Sequence, residues 1–591
     1  VRAASGRDPS ARAAFLVGLA VAFVAAVDLV RWVRPLVLTD SDPAWLVPRL
    51  FLGLFVVAAT VCAGGLAGAA FLLSARSLAS RLSLEPLPLS RLTLFGVAAA
   101  AIVLGTLARF ACLETAPPSL WIDDVSLVAP ALELKGAPSD FADAIRPAPY
   151  GVAKPYGSVG VLYLELYRGA LLLFGTTVFG VRFLSAAAGV ASLFTALALG
   201  RAFLPPGGGA LAALVLAGLR WNLLLSRWGW NAVVLAPVAD VAVLLLLRAR
   251  RRDSLVLVLA AGAVAGLAAH IYLAAWVVAA ALLLLAAWPA AGAGPARPRL
   301  RLALLFTVGF ACAAAPIFVL KEGRAAPYFA RASDHSLFAE IRYTHSAMPA
   351  FAAAADSLAA PWFKSDPYPN HDLPGRTRLG WILGLPVALA LGRCLVKSRE
   401  ELSGYLLTQG AAALAASIVG GHAGVPNGYR FGYLSDVAAV AAAAGVLCLL
   451  AFVQAARRRV AAIAALGLVA VSGCLGARDA LAVWPQRPET FDGFHGQDTL
   501  IARTALRWEQ YGPVGISPTL GHSAITIEGI RRYRLGREPR EDLRPSGRLR
   551  CFHISPPETL PGPGERLVEH VIDGWGRPWA VVLAARSCPG A

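Results

Sequence analysis

Asp123 and Asp124 stand side by side between Trp121-Ile122 and Val125, in a polar stretch that interrupts long apolar runs. A carboxylate placed just outside a bilayer in such company is half desolvated, and a half-desolvated carboxylate can serve as a general base. The competing reading is a solvated loop acid or a helix N-cap. Cations follow the pair along the chain at Lys154, Arg182, Arg227, Arg331 and Arg430. A carboxylate that deprotonates a hydroxyl and cations that neutralise a departing phosphate are the two requirements of group transfer from a phosphate.

Each of these residues also has a plainer role open to it. Lys154 could snorkel to headgroups, Arg182 could cap the end of a span, and Arg227 between Ser226 and Trp228-Gly229-Trp230 could anchor at the interface with its aromatic neighbours. His270 and Tyr272 could be satisfied helix-end residues, and Arg331 with Asp334 and His335 an ordinary loop network. His371 and Asp372 supply only two ligands, too few for a metal. Arg430 lies among Gly424, Gly428 and Gly432, which let a backbone approach a ligand closely. Asp124 and Glu133 could support a weak divalent site, though nothing demands one.

The elements that must position these groups are membrane helices. The 591 residues are 57% hydrophobic and 15% charged, with mean hydropathy +0.62, which excludes a water-soluble globular chain and describes a polytopic membrane protein. The net charge of +18 sits in short arginine-rich linkers rather than on one polar face, so it marks topology and not a nucleic-acid partner. Cys62, Cys112, Cys312, Cys448 and Cys474 are isolated in apolar runs and read as inert packing residues. No cleavable signal is evident.

A crossing needs about 20 apolar residues. Thirteen segments fit, near 13–30, 48–73, 91–112, 181–200, 208–226, 232–248, 254–270, 272–288, 300–320, 379–396, 402–420, 433–453 and 460–476. The apolar stretch 156–174 reads as an interfacial helix with a Glu165/Arg168 pair, because only then do the arginine clusters share one side. That side is the cytoplasm, which places the N-terminus inside and the loop 113–180 outside, along with 321–378, 421–432 and the tail. Residues 1–90 form an accessory pair of spans, 91–476 the main membrane domain, and 477–591 a small extracytoplasmic α/β domain. In the tail, helices are expected over 498–511 and 522–534, and strands over 513–517, 549–555, 567–572 and 578–584. Cys551 and Cys588 are candidates for a disulfide.

In order and spacing, the chain resembles the GT-C glycosyltransferases, in the branch of the dolichyl-phosphate-mannose protein mannosyltransferases and aminoarabinose lipid A transferases. Ile122-Asp123-Asp124 matches the family's Asp-Glu motif, and Lys154-Pro155 its Lys/His-Pro-Pro stretch. Phe174-Gly175 followed by Arg182, Ser185 and Gly189 matches its Phe-Gly, Arg, Ser, Gly series. Ser226-Arg227-Trp228-Gly229, then Pro327, Phe329 and Arg331, then Asn370 to Gly375, then Pro426-Asn427 and Arg430, resemble later signatures in the same order. Asp124 stands where Glu is usual, Tyr156 replaces the second Pro, and two spans precede the usual first one.

The resemblance implies an all-α membrane protein of GT-C type with interfacial helices in its first periplasmic loop. It also implies an inverting transferase that moves a sugar from a polyprenyl-phosphate donor to an acceptor hydroxyl at the outer face of a bacterial cytoplasmic membrane. Asp123 would be the base, Asp124 would orient the acceptor or a cation, and Lys154, Arg182 and Arg430 would hold the phosphate. Arg227, His270, Tyr272, Arg331 and His371 would line the groove. The alternatives are a transporter or flippase, which predicts ionisable groups in span centres, and a non-catalytic lipid-binding subunit.

Overall fold

A computed structural model describes residues 82–133, 159–289, 296–319, 336–346, 348–420, 432–520, 524–535 and 551–585. The expected spans 13–30 and 48–73 lie outside the described residues, as do Lys154, Arg331, Arg430 and Cys588.

The chain is mostly helical. It runs through α1 (Arg91–Phe110), α2 (Ile122–Ser126), α3 (Val128–Glu133), α4 (Val161–Phe174), α5 (Val178–Phe203), α6 (Gly208–Gly218), α7 (Arg220–Leu225), α8 (Ala232–Arg252), α9 (Leu255–Ala269), α10 (Ala275–Ala286) and α11 (Ala296–Ala314). There follow α12 (Pro316–Val319), α13 (Leu337–Thr344), α14 (Met348–Ala359), α15 (Gly380–Val396), α16 (Glu401–Val419), α17 (Leu434–Ala451) and α18 (Arg458–Arg478). Among the described residues, six helical stretches are long and apolar enough to cross a membrane: α1, α5, α8, α16, α17 and the run Ala455–Gln486 that contains α18. The apolar α6, α9, α10 and α15 are shorter.

Local signals set the ends. Ser90 and Thr177 cap α1 and α5 by accepting from Thr93 N and Gly180 N, and Asp253 ends α8 in a left-handed conformation. The expected span 208–226 is two helices, because Leu219 is extended and breaks the run between α6 and α7. Close packing depends on missing side chains. A Cβ on Gly262 would lie 2.1 Å from Phe306 O and one on Gly309 2.2 Å from Leu259 O, so α9 and α11 meet backbone to backbone. Leu92, Phe95, Leu104 and Leu107 of α1 stay exposed within the protein, an apolar face suited to lipid.

Within the stretch 156–174, Val161–Phe174 form α4, and Glu165 and Arg168 make its i, i+3 pair at 3.5 Å. It buries Tyr163, Leu164, Tyr167 and Leu171 while Leu172 and Leu173 point outward.

Beyond α18 the chain continues through Asp479–Val483 and Trp484–Gln486 into a small domain. This comprises α19 (Pro488–Gly493), α20 (Gly496–Trp508), α21 (Ala524–Tyr533) and the strands β1 (Val514–Ile516), β2 (Cys551–Ser555), β3 (Glu565–Ile572) and β4 (Pro578–Ala585). The sheet order is β1-β2-β4-β3, with β1 parallel to β2 and the other pairs antiparallel. Cys551 is disulfide-bonded.

Among the described residues two large apolar cores result, with a small third cluster at Leu82, Leu389 and Cys448. One fills the helix bundle. The other is shared: Val125, Leu127, Val128, Tyr163 and Tyr167 pack with Ile501, Ile527, Ile530 and Phe552 of the C-terminal domain. A Cβ on Gly529 would lie 2.2 Å from Val125 Cγ1, so α21 lies directly on the acid-bearing α2.

Candidate active site

Asp123 and Asp124 occupy the first turn of α2, where backbone N–H groups favour negative charge. Consecutive helical residues point about 100° apart, so the neighbours enter different surroundings. Asp124 is fully buried; its Oδ2 accepts from Trp121 N at 3.1 Å and its Oδ1 from Gly229 N at 2.8 Å. Asp123 is 6% exposed and its Oδ2 accepts from Trp121 Nε1 at 2.9 Å. Burial lifts the Asp124 carboxyl to about 6 against the pull of Arg182 and the two backbone N–H groups. Asp124 therefore anchors α2 to the Ser226–Trp230 turn, each oxygen accepting one backbone N–H.

Gly229 makes this contact possible, since a Cβ there would lie 2.8 Å from Val181 O and 3.1 Å from Asp124 Oδ1. Arg182, Ser185 and Gly189 share a face of α5 at i, i+3 and i+7, and that face receives the same turn. Ser185 Oγ donates to Trp230 O and accepts from Trp230 N, each at 3.0 Å. A Cβ on Gly189 would lie 2.3 Å from Ser226 Oγ.

Two buried arginines hold the backbone leading to the acids. Arg182 Nη1 donates to Leu113 O at 2.8 Å and Pro117 O at 3.0 Å, and Nη2 donates to Ser119 O. Arg227 Nε donates to Ala116 O at 3.1 Å, Nη1 to Ala108 O at 2.7 Å and Arg109 O at 3.2 Å, and Nη2 to Ala111 O. Carbonyls at the end of α1 and in the following loop have no helical partners of their own, and these guanidiniums supply them. Both side chains are fully buried. Arg182 thus braces the acid loop, and Arg227 clamps the end of α1 to the turn between α7 and α8.

The remaining groove candidates are likewise engaged. His270 is buried with Nε2 3.0 Å from Ala313 O, linking the end of α9 to α11, and its backbone carbonyl accepts from Tyr163 N. Tyr272 is half-buried between the two cores. His371 is buried with Nδ1 3.3 Å from Asp366 Oδ2, which also meets Arg378 Nη2 at 3.2 Å. Arg220 joins the neighbouring Asp372 at 3.0 Å and Asp479 at 3.7 Å. These ions tie the loop before α15 to α7 and to the end of α18. Among the described residues no three His, Cys, Asp or Glu side chains converge as metal ligands.

No family model and no curated protein matches the sequence. Solved structures are similar to it. The oligosaccharyltransferase of Archaeoglobus fulgidus in its apo form gives a TM-score of 0.48 at 16% identity, covering 76% of this chain and 64% of that one. ArnT from Cupriavidus metallidurans gives 0.46 at 14% identity in its apo state and 0.44 at 15% bound to undecaprenyl phosphate; each covers 83% of this chain and 98% of that one. The chain spans 64% of the oligosaccharyltransferase's length.

Several residues at the site gave no signal in the sequence reading. Tyr167 donates from its hydroxyl to Asp124 O at 2.9 Å, and Tyr163 stacks on Tyr167 at 5.8 Å. Burial and the charge of both aspartates push the Tyr163 phenol well above its usual range, so it stays neutral beside them. From the far end of the chain come Trp484, Phe494, His495 and Thr499; Thr499 Oγ1 accepts from Leu120 N at 3.2 Å. The density of aromatic residues in an otherwise polar tail (Trp484, Phe491, Phe494) was the available hint.

Proposed function

We propose that the protein is a membrane transferase of the GT-C kind. It moves a sugar from a polyprenyl-phosphate donor to an acceptor hydroxyl at the extracytoplasmic face of a bacterial cytoplasmic membrane, with inversion. One observation carries the reading: two adjacent carboxylates are held in unlike environments. Asp124 is sealed and fully bonded, whereas Asp123 lies at the edge of the same cage with Trp121 fixing one oxygen. That division suits a base whose neighbour holds its helix in place.

In this reaction Asp123 takes the acceptor's proton as the acceptor oxygen attacks the anomeric carbon. The bond from that carbon to the phosphate oxygen breaks, and its electron pair leaves with the lipid phosphate. The phosphate would be met first by Lys154 and Arg430, since the Nη atoms of Arg182 and the guanidinium of Arg227 already bond backbone carbonyls. Purified protein in detergent, incubated with a panel of polyprenyl-phosphate sugars and membrane extract, should release lipid phosphate and yield a glycosylated acceptor by mass analysis. Absence of turnover across the panel contradicts the proposal.

A transporter or flippase is the second reading, favoured by buried ionisable groups in the bundle. Arg109, Asp240 and Asp436 are fully buried. Asp240 Oδ2 accepts from Thr195 Oγ1 at 2.7 Å, Asp436 Oδ1 from Ser435 Oγ at 3.1 Å, and Arg109 reaches Asn222, which donates to Ser435 Oγ at 2.9 Å. These bonds join α1, α5, α7, α8 and α17, as a packing network would. Movement of labelled lipid across proteoliposomes without sugar transfer would select transport.

A further inference from the structure

The C-terminal domain touches the acid site through two consecutive rings. Phe494 is fully buried and lies edge-on to Trp121, Trp228 and Trp484, at 6.2, 5.8 and 5.5 Å between centroids. Those tryptophans come from the acid loop, from the turn between α7 and α8, and from the end of the last span. Phe494 is thereby the fixed point of the contact. His495 follows at φ 48°, a left-handed conformation that His tolerates better than most residues. Its ring lies 4.9 Å from that of Trp121, tilted by 57°. Trp121 in turn donates from Nε1 to Asp123 Oδ2. The His495 side chain keeps 42% of its exposure, and its Nδ1 faces Asp498 Oδ2 at 4.0 Å.

We propose that His495 is a positioning residue for Asp123, acting through Trp121: its ring holds the indole in the orientation that aims Nε1 at the carboxylate. This rests on the reading of Asp123 as the proton acceptor. An indole pivots about two side-chain torsions. With Phe494 packed nearly perpendicular to the indole and His495 tilted against it, that pivot is restricted and with it the rotamer of Asp123. Removing His495 reopens it, and a displacement of about 1 Å in a reacting group can cost about 100-fold in rate. The soluble domain is by this account a part of the active site.

Two substitutions separate ring from backbone. His495→Asn keeps a residue that accepts the left-handed conformation but removes the ring; His495→Phe keeps a ring against Trp121 without the imidazole nitrogens. H495N should lose about 10- to 100-fold in kcat, with the KM for an undecaprenyl-phosphate sugar and the thermal midpoint unchanged. H495F should recover most of that loss. Wild-type kcat in H495N, or folded H495F as slow as H495N, overturns the inference. A structure of H495N gives a second readout independent of any donor: Trp121 Nε1 leaves Asp123, and persistence of the 2.9 Å bond counts against the proposal. Asp123→Asn distinguishes the levels. If D123N is inactive while H495N is normal, only the positioning role fails; if D123N turns over, the reading beneath it fails.

Discussion

Replacing Arg182 separates two roles that the sequence alone leaves open. Its Nη atoms hold three carbonyls, of Leu113, Pro117 and Ser119, inside a site with no exposure. A hydrogen bond involving a charged group contributes about 1.5–3 kcal/mol. Arg182→Lys keeps the positive charge beside Asp124, but a single ammonium cannot span all three carbonyls. Losing one or two of the bonds gives roughly 2–5 kcal/mol of destabilisation. Arg182→Met loses the charge as well, and uncompensated burial of its partners costs about 3–5 kcal/mol. In that variant Asp124, already near 6 with Arg182 present, rises further and stays protonated at neutral pH. Thermal unfolding in detergent should fall by several degrees for R182K and further for R182M. At temperatures where R182K remains folded, its KM for the lipid-linked donor should stay within about twofold of wild type, as uniform donor binding is not what the side chain supplies. An unchanged midpoint in R182M together with a KM raised tenfold or more would refute the brace and restore Arg182 as a phosphate ligand.

Gly229→Ala should cost about 1–3 kcal/mol, because its Cβ would press on Val181 O and Asp124 Oδ1 and lift α2 from the turn; a lower thermal midpoint with at least tenfold slower turnover is the readout. For Asp124 the folded pKa lies above the unfolded value, so its protonated form favours the folded state. The contribution is complete below about pH 4 and is lost as pH rises through about 6, to a total near 3 kcal/mol at 1.4 kcal/mol per unit. Melting curves from pH 4 to 8 should show wild type losing stability relative to Asp124→Asn up to pH 6 and running parallel above 7. Phe494→Ala empties the space between three tryptophans and should cost about 3–5 kcal/mol; limited proteolysis should then release the C-terminal domain faster than from wild type.

Long apolar runs fix helices by hydrogen-bond economy in lipid, and so α1, α5, α8, α16, α17 and α18 lie where the sequence places them. The tail strands were equally legible, since β-rich runs between turn residues leave few alternatives. Leu219 was not, because Gly218-Leu219-Arg220 interrupts an apolar stretch that is long enough to pass for one span. Arg182, Ser185 and Gly189 were recognised as a pattern but their partners were not. Whether a guanidinium at residue 182 meets a phosphate or the carbonyls of residues 113–119 depends on how a loop more than 60 residues earlier folds back. His495 was hidden for the same reason, as its contact with Trp121 joins segments far apart in the sequence.

The central claim is that Asp123 is the proton acceptor. Its most direct test is sugar transfer by purified Asp123→Asn from a polyprenyl-phosphate donor that the wild-type protein uses. The account predicts normal expression and thermal stability with turnover lowered by at least about 100-fold, the span of general-base catalysis. Wild-type turnover by the folded variant would contradict it.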